Sequence, residues 1–396
     1  MSDDIGKILS ELKQKTVLVI GNGFDLACNF KTSYSNFIFF IEKMLEIDNV
    51  EMFLNDSDIK SYGELDVDEV LSFREFLLDL KSRKNYFLTY FLNYHCKTLS
   101  WADFEEELEK IVCAFDLLCS LLSNHRYKDY YGSEFILETN NISVLYKAFV
   151  YNPDNSFIKF AEVPGNPEDT SVYLVEQEHI ENTESKITNF VKQIPDELYR
   201  DLYDFSGLFS SYLELLQANN LDDEIKKKFP SSVDIIINYN YTDIVNKFRS
   251  NFISKYIEVI YLNGHVDLKT RKNNIIFGID QKSSFDFPKF YQFCKKQMRI
   301  SKSTDYKLIY NLPEIKNLYV FGHSLTLSDA DSIRKIFDRV VNDGKINIYY
   351  FDGYKETVEM ECNKGTIASN FNQIFADEFD EINAKTTFIK SSEFFQ

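Results

Sequence analysis

The segment Val17-Leu18-Val19-Ile20-Gly21-Asn22-Gly23-Phe24-Asp25 constrains this chain more than any other. A short apolar run that ends on glycine and leads into Phe24-Asp25-Leu26-Ala27 reads as strand, tight turn and helix. Two glycines in such a turn let backbone amides approach a phosphate, and the helix start adds a favourable dipole. The dinucleotide fingerprint would place a third glycine at position 26, where Leu26 stands. Read alone, the turn is as much a tight bend needing glycine geometry as a phosphate cradle. Asp25 also has two readings: a partner for a ribose hydroxyl, or an acid in the first turn of a helix.

The other strand-like runs come late. Val233–Ile237, Ile257–Leu262, Asn274–Phe277, Leu318–Phe321 and Ile346–Tyr350 are short, β-branched and aromatic. Runs that are apolar on both faces belong to a covered parallel sheet. Between the first strand and these lies a long acidic, helical stretch. Leu71, Phe73, Phe76, Leu77 and Leu80 recur at helical spacing there, as do Phe104, Leu108, Ile111, Val112 and Phe115 behind a Ser100 cap. Residues 126–180 read as irregular, with turns at Asn152–Asn155 and Pro164–Pro167, and helices resume near Glu184 and again near Pro195. Thr32 or Ser33 is placed to cap the helix carrying Phe37, Phe40 and Ile41. The expected fold is α/β, a Rossmann-like, mostly parallel sheet with a large helical insertion. Residues 1–45 plus 230–396 would form the sheet domain, and 46–229 the insertion.

Charge narrows the function classes. Lys and Arg number 44 against 62 Asp and Glu, a net charge of −18, and such a field repels phosphate backbones. A general nucleic-acid binder is therefore disfavoured. The compact basic clusters, Lys226-Lys227-Lys228 and Lys295-Lys296 with Arg299, read as solvated helix faces. The six cysteines show no C-x-x-C pair and no zinc spacing, so reduced cytosolic thiols and no metal are expected. The acidic N-terminus lacks an apolar run and no stretch reaches membrane length, which points to a cytoplasmic protein with no membrane partner.

Three further segments sit where strands end. Asn238-Tyr239-Asn240-Tyr241-Thr242-Asp243 follows a buried run, and Asn240 has an amide suited to a ribose hydroxyl or a water. The same turn is also a helix cap through Thr242 or Asp243. Tyr261-Leu262-Asn263-Gly264-His265 offers His265 as a general base, although most single histidines do no chemistry. Phe321-Gly322-His323-Ser324-Leu325 repeats the strand–glycine–helix design. His323 and Ser324 are candidates to hydrogen-bond a cofactor, with Ser328 or Asp329 capping the next helix. A G-x-S-x-G nucleophile elbow is not supported, because Leu325 and Thr326 follow Ser324.

Taken in order, GNGFD with Thr32–Tyr34, Trp101-x-Asp103-x-Glu105, Asn240–Thr242, Asn263-Gly264, Phe277–Asp280 and Phe321–Leu325 with Asp329 resemble the AbiH family of phage abortive-infection proteins. That family in turn resembles sirtuin-like anti-phage domains, and the resemblance implies a Rossmann-like fold and NAD or a related nucleotide as ligand. It matches Gly21, Gly23 and Asp25 to the cofactor turn, Asn240 to the asparagine beside the ribose, and Gly322 with Ser324 to the late element. Asn22, Phe24, Thr242, Asn263 and His323 are the further candidates for cofactor binding. Where the sirtuin-like pattern has His-Gly, this chain has Asn263-Gly264, and the histidine comes two positions after that asparagine, at His265. A two-residue step along an extended strand keeps the same face. The alternatives stay open: His265 reaches the site, or the pocket binds nucleotide without cutting it.

The resemblance thus implies an abortive-infection effector acting as an NAD glycohydrolase, with Asn240 and His265 as its catalytic pair. A phage or host protein would be its trigger, and a homo-oligomer its assembly. A non-catalytic nucleotide sensor, presenting the helical insertion to a partner, is the second reading. A nuclease toxin is the third, opposed by the charge and by Asp329 and Asp331 lacking evident partners. Trp101, Asp103 and Glu105 read as a packed ring and a charged helix start.

Overall fold

The computed structural model describes residues 14–93, 101–123, 145, 158–162, 170–174, 180–217, 232–248, 257–266, 274–279, 285–302, 305–350 and 363–394. Its centre is a six-stranded sheet of β1 (Lys15–Ile20), β4 (Ile235–Asn238), β5 (Glu258–Tyr261), β6 (Ile315–Phe321), β7 (Val340–Tyr350) and β8 (Thr386–Lys390). The spatial order is β5-β4-β1-β6-β7-β8, and every neighbouring pair is parallel. Counted within this sheet alone, that is the 3-2-1-4-5-6 order of doubly wound nucleotide-binding folds, and the order reverses between β1 and β6. The expected α/β class with a mostly parallel sheet is what the chain adopts.

Side-chain alternation explains how β1 holds the middle. Leu18 and Ile20 feed one apolar core, while Val17 and Val19 feed another on the opposite face, and all four are fully buried. The second core is closed by the helices Ala330–Phe337 and Lys364–Ile374 through Ile333, Ile336, Phe337, Ile367 and Phe371. The first core runs without a break into the helices of residues 46–217. Phe37 and Phe40 of α2 (Tyr34–Glu46) meet Phe53, Phe73, Phe205 and Tyr212 at ring separations of 5.1 to 5.8 Å. The high content of phenylalanine and tyrosine, 36 and 25 residues, supplies this packing. Ser33 caps α2, accepting from the Asn36 N–H at 3.1 Å, one of the two expected caps.

Four expectations need correction. Asn274–Phe277 joins no sheet strand; instead the Ile276 N–H donates to the Asn263 carbonyl at 2.7 Å and Phe277 inserts between Phe104 and Phe209. Its apolar pattern reflects burial, not pairing. β8, which received no strand assignment, completes the sheet as a half-exposed edge. The span read as irregular contains an antiparallel hairpin of β2 (Ile158–Glu162) and β3 (Thr170–Leu174). Both of its expected turns lie outside the described residues, as do Ser100 and Lys226–Lys228. The two helices expected near Glu184 and Pro195 are one, Ile180–Gln217, with Pro195 inside it and its carbonyl accepting from Gln292 Nε2 at 2.9 Å. Among the described residues no helix is long and apolar enough to cross a membrane.

Candidate functional site

The motif turns meet at the carboxyl edge, and the glycines determine how closely. The Gly21 N–H donates to the Phe321 carbonyl at 3.0 Å and the Gly23 N–H to the Gly322 carbonyl at 2.9 Å. A Cβ on Gly21 would stand 2.5 Å from the Gly322 oxygen, one on Gly23 2.7 Å from Gly322 Cα, and one on Gly322 2.2 Å from the Phe24 nitrogen. Gly322 also holds a left-handed φ of 66°. The turn after β1 and the turn after β6 are therefore in backbone contact at the point where the strand order reverses. The amides of Gly21 and Gly23 are spent on that seam, and the Phe24 N–H returns to the Gly21 carbonyl at 2.8 Å.

Asp25 closes a second contact, to the turn after β4. Asn240 Nδ2 donates to Asp25 Oδ1 at 2.7 Å and to the Gly21 carbonyl at 3.0 Å, and the Thr242 hydroxyl donates to Asp25 Oδ2 at 2.6 Å. Asn238 orders that turn from within, accepting from the Asn240 N–H at 2.8 Å and donating to the Thr242 carbonyl at 2.9 Å. All four side chains are buried. Burial pushes the Asp25 carboxyl up to about 7, against the hydrogen bonds from Thr242 and Asn240 that pull it down. Both Asp25 oxygens are thus occupied inside the protein. Asn240 keeps its Oδ1 without a donor among the described residues.

Beside this clasp lies a cluster of buried charges drawn from four parts of the chain. Lys295 Nζ stands 2.6 Å from Glu105 Oε1, on the helix Trp101–Ser123, and 4.0 Å from Asp329 Oδ1. Arg299, one helical turn beyond Lys295, puts Nη2 3.7 Å from Asp329 Oδ1 and donates to Asn263 Oδ1 at 2.7 Å. His323 presents Nε2 to Asp329 Oδ2 at 3.5 Å, while its Nδ1 accepts the Leu325 N–H at 3.0 Å, so that Nε2 is the nitrogen left to face the carboxylate. Leu325 adopts a φ of 52°, unusual for a residue with a side chain. Burial would raise the Asp329 carboxyl, but Lys295, His323 and Arg299 outweigh it and hold it well below the usual range.

A family model described as bacteriophage abortive infection AbiH matches residues 17–352, from β1 past the end of β7. The chain belongs to the AbiH family. Membership gives it a role in bacteriophage abortive infection. No curated protein and no solved structure gives a match.

Against the AbiH motif string, the structure brings together Gly21, Gly23, Asp25, Asn240, Thr242, Asn263, Gly322 and His323, with Glu105 and Asp329 beside them. Asn22 accepts from the Thr32 hydroxyl at 2.7 Å, linking GNGFD to the TSY element, and Phe24 packs edge-on to Phe321. Ser324 is half-buried, and its carbonyl accepts from Asn370 Nδ2 at 2.9 Å. His265 stacks on Tyr261 with ring centroids 3.8 Å apart, and neither ring nitrogen bonds a described group. The Trp101 and Asp103 side chains lie outside the described residues.

The cluster corrects three sequence readings. Lys295 and Arg299 are not a solvated face but are nearly fully buried, because Glu105 and Asp329 neutralise them. Asp329 stands at the helix N-cap yet makes no side-chain capping bond. Asp331 does have partners, Lys335 and the Tyr306 hydroxyl. The positions of Glu105, Asn263, His323 and Asp329 in the motif string are the sequence signal for this cluster. Nothing in the local pattern around Lys295 or Arg299 distinguishes them from surface cations.

Proposed function

We propose that this AbiH protein is an abortive-infection effector that binds NAD, or a related nucleotide, at the carboxyl edge between β4, β1 and β6 and hydrolyses its bond to nicotinamide. The observation that carries this reading is the strand order, whose reversal falls where the GNGFD and FGHSL turns touch, the usual ligand crevice of such sheets. With the Gly21 and Gly23 amides already engaged, the nucleotide would rest on the outer face of the clasp rather than inside the glycine turn. Asn240 Oδ1 faces no donor among the described residues and would accept from the attacking water or a ribose hydroxyl. His265, whose ring nitrogens bond no group among the described residues, would take the water's proton as oxygen bonds to the ribose carbon and nicotinamide leaves with the bonding electrons. Fixed dipoles and orientation would supply most of the acceleration.

Nicotinamide release from NAD by the purified full-length chain tests this. Activity lost in His265→Ala, a residue outside the clasp, supports the assignment. No release by folded protein at high concentration removes the catalytic reading. A non-catalytic nucleotide sensor is favoured by one feature, Asn263 turned inward to Arg299 where sirtuin-like patterns place a histidine. Calorimetric NAD binding without product would select it.

A further inference from the structure

Asp329 Oδ1 and Arg299 Nε, at the heart of the charge cluster, have no hydrogen-bond partner among the described residues. Asp329 Oδ1, on a side chain nine-tenths buried, lies 3.7 Å from Arg299 Nη2 and 4.0 Å from Lys295 Nζ, beyond hydrogen-bond reach of either. Arg299 Nε is likewise buried without an acceptor. The rest of the guanidinium is held: Nη2 donates to Asn263, and the plane lies over the Tyr306 ring at 4.5 Å. The Asp329 carboxylate is held from its other side by His323. An ionised oxygen and a guanidinium N–H left unsatisfied in the interior are costly, and folding alone gives no reason to keep them so.

The two atoms specify their complement. An ammonium only donates, and it would meet Lys295 and Arg299. An ionised phosphate only accepts, and it would meet Asp329 and Glu105. A hydroxyl donates one bond and accepts another, so it alone among these groups can satisfy both atoms without adding charge.

We propose that Asp329 and Arg299 form a subsite for a ribose hydroxyl, with Asp329 Oδ1 accepting its proton and Arg299 Nε donating to its oxygen. This deepens the nucleotide reading above and rests on it. Glu105 and Lys295 are positioning residues: Lys295 keeps Asp329 ionised, and Glu105 keeps Lys295 turned inward. The subsite explains why a helix of the insertion contributes an acid to the carboxyl edge of the sheet, and why the AbiH string includes Glu105 and Asp329.

Calorimetry of the full-length chain with NAD and with four analogues, each lacking one ribose hydroxyl, tests the subsite without altering the protein. One analogue is expected to bind at least about tenfold more weakly than NAD, the size of a hydrogen bond to a charged group. Asp329→Asn, which keeps the shape but removes the charge, is expected to narrow that gap. Four analogues binding as tightly as NAD overturn the subsite and leave nucleotide binding intact. Failure of NAD itself to bind overturns both.

Discussion

Two buried aspartates stand at the carboxyl edge of one sheet, and their surroundings could hardly differ more. Asp25 is sealed by neutral donors, an amide and a hydroxyl, and each of its oxygens has a partner within 2.7 Å. Its carboxyl is driven up to about 7 because nothing positive offsets its burial. Asp329 is ringed by Lys295, Arg299 and His323 at 3.5 to 4.0 Å, and is held ionised although one oxygen has no hydrogen bond. The first arrangement satisfies its groups and joins two turns; it is a clasp. The second holds charge in place without satisfying it, an arrangement more characteristic of binding sites than of cores.

The largest effect should come from breaking the charged cluster. Lys295→Met keeps most of the stem's volume but leaves Glu105 and Asp329 facing each other's field, and should cost about 3–5 kcal/mol in denaturant unfolding. If it costs no more than a change in the clasp, the contrast between the two networks fails. The second effect is a pH slope of opposite sign at the two acids. Asp25 binds its proton more tightly folded than unfolded, so between about pH 4 and 7 it lowers stability as pH rises. Asp329 binds its proton less tightly folded, so its contribution is present above about pH 4 and is lost as pH falls below that. Asp25→Asn should abolish the first slope and leave the second. A falling slope from pH 4 to 7 that persists unchanged in Asp25→Asn would show that Asp25 is not the group responsible.

Much of the frame was legible in the sequence, and the reason is physical. β1, β4 and β6 are buried on both faces, so their apolar runs stand out, and the turns after them carry glycine or paired asparagine that backbone contact demands. β8 was hidden because an edge strand is half exposed and lacks such a run. Asn274–Phe277 misled for the converse reason: a segment buried among helices carries the same residues as a strand. At the site, Asp25, Asn240 and Thr242 were each singled out, but their bonding to one another was not, since hydrogen bonds across more than 200 residues leave no local trace. Lys295 and Arg299 were read as surface cations because a helix face records charge but not what covers it.

The clasp itself should yield smaller, graded effects. Asn240→Ala leaves Asp25 Oδ1 and the Gly21 carbonyl without their shared donor and should cost about 2–3 kcal/mol. Thr242→Val removes one donor and preserves the branched shape, so about 1 kcal/mol is expected. Its more telling consequence is on titration. The Thr242 hydroxyl is the stronger of the two hydrogen bonds that lower the Asp25 carboxyl, so without it the group should titrate above 7 and the falling limb of stability should extend to higher pH. The steric loss from a hydroxyl-to-methyl change is the same at every pH, whereas the electrostatic loss appears only where Asp25 is ionised. A Thr242→Val penalty that grows from pH 5 to pH 9 identifies the hydroxyl as a donor to the carboxylate, and a constant penalty reduces it to packing.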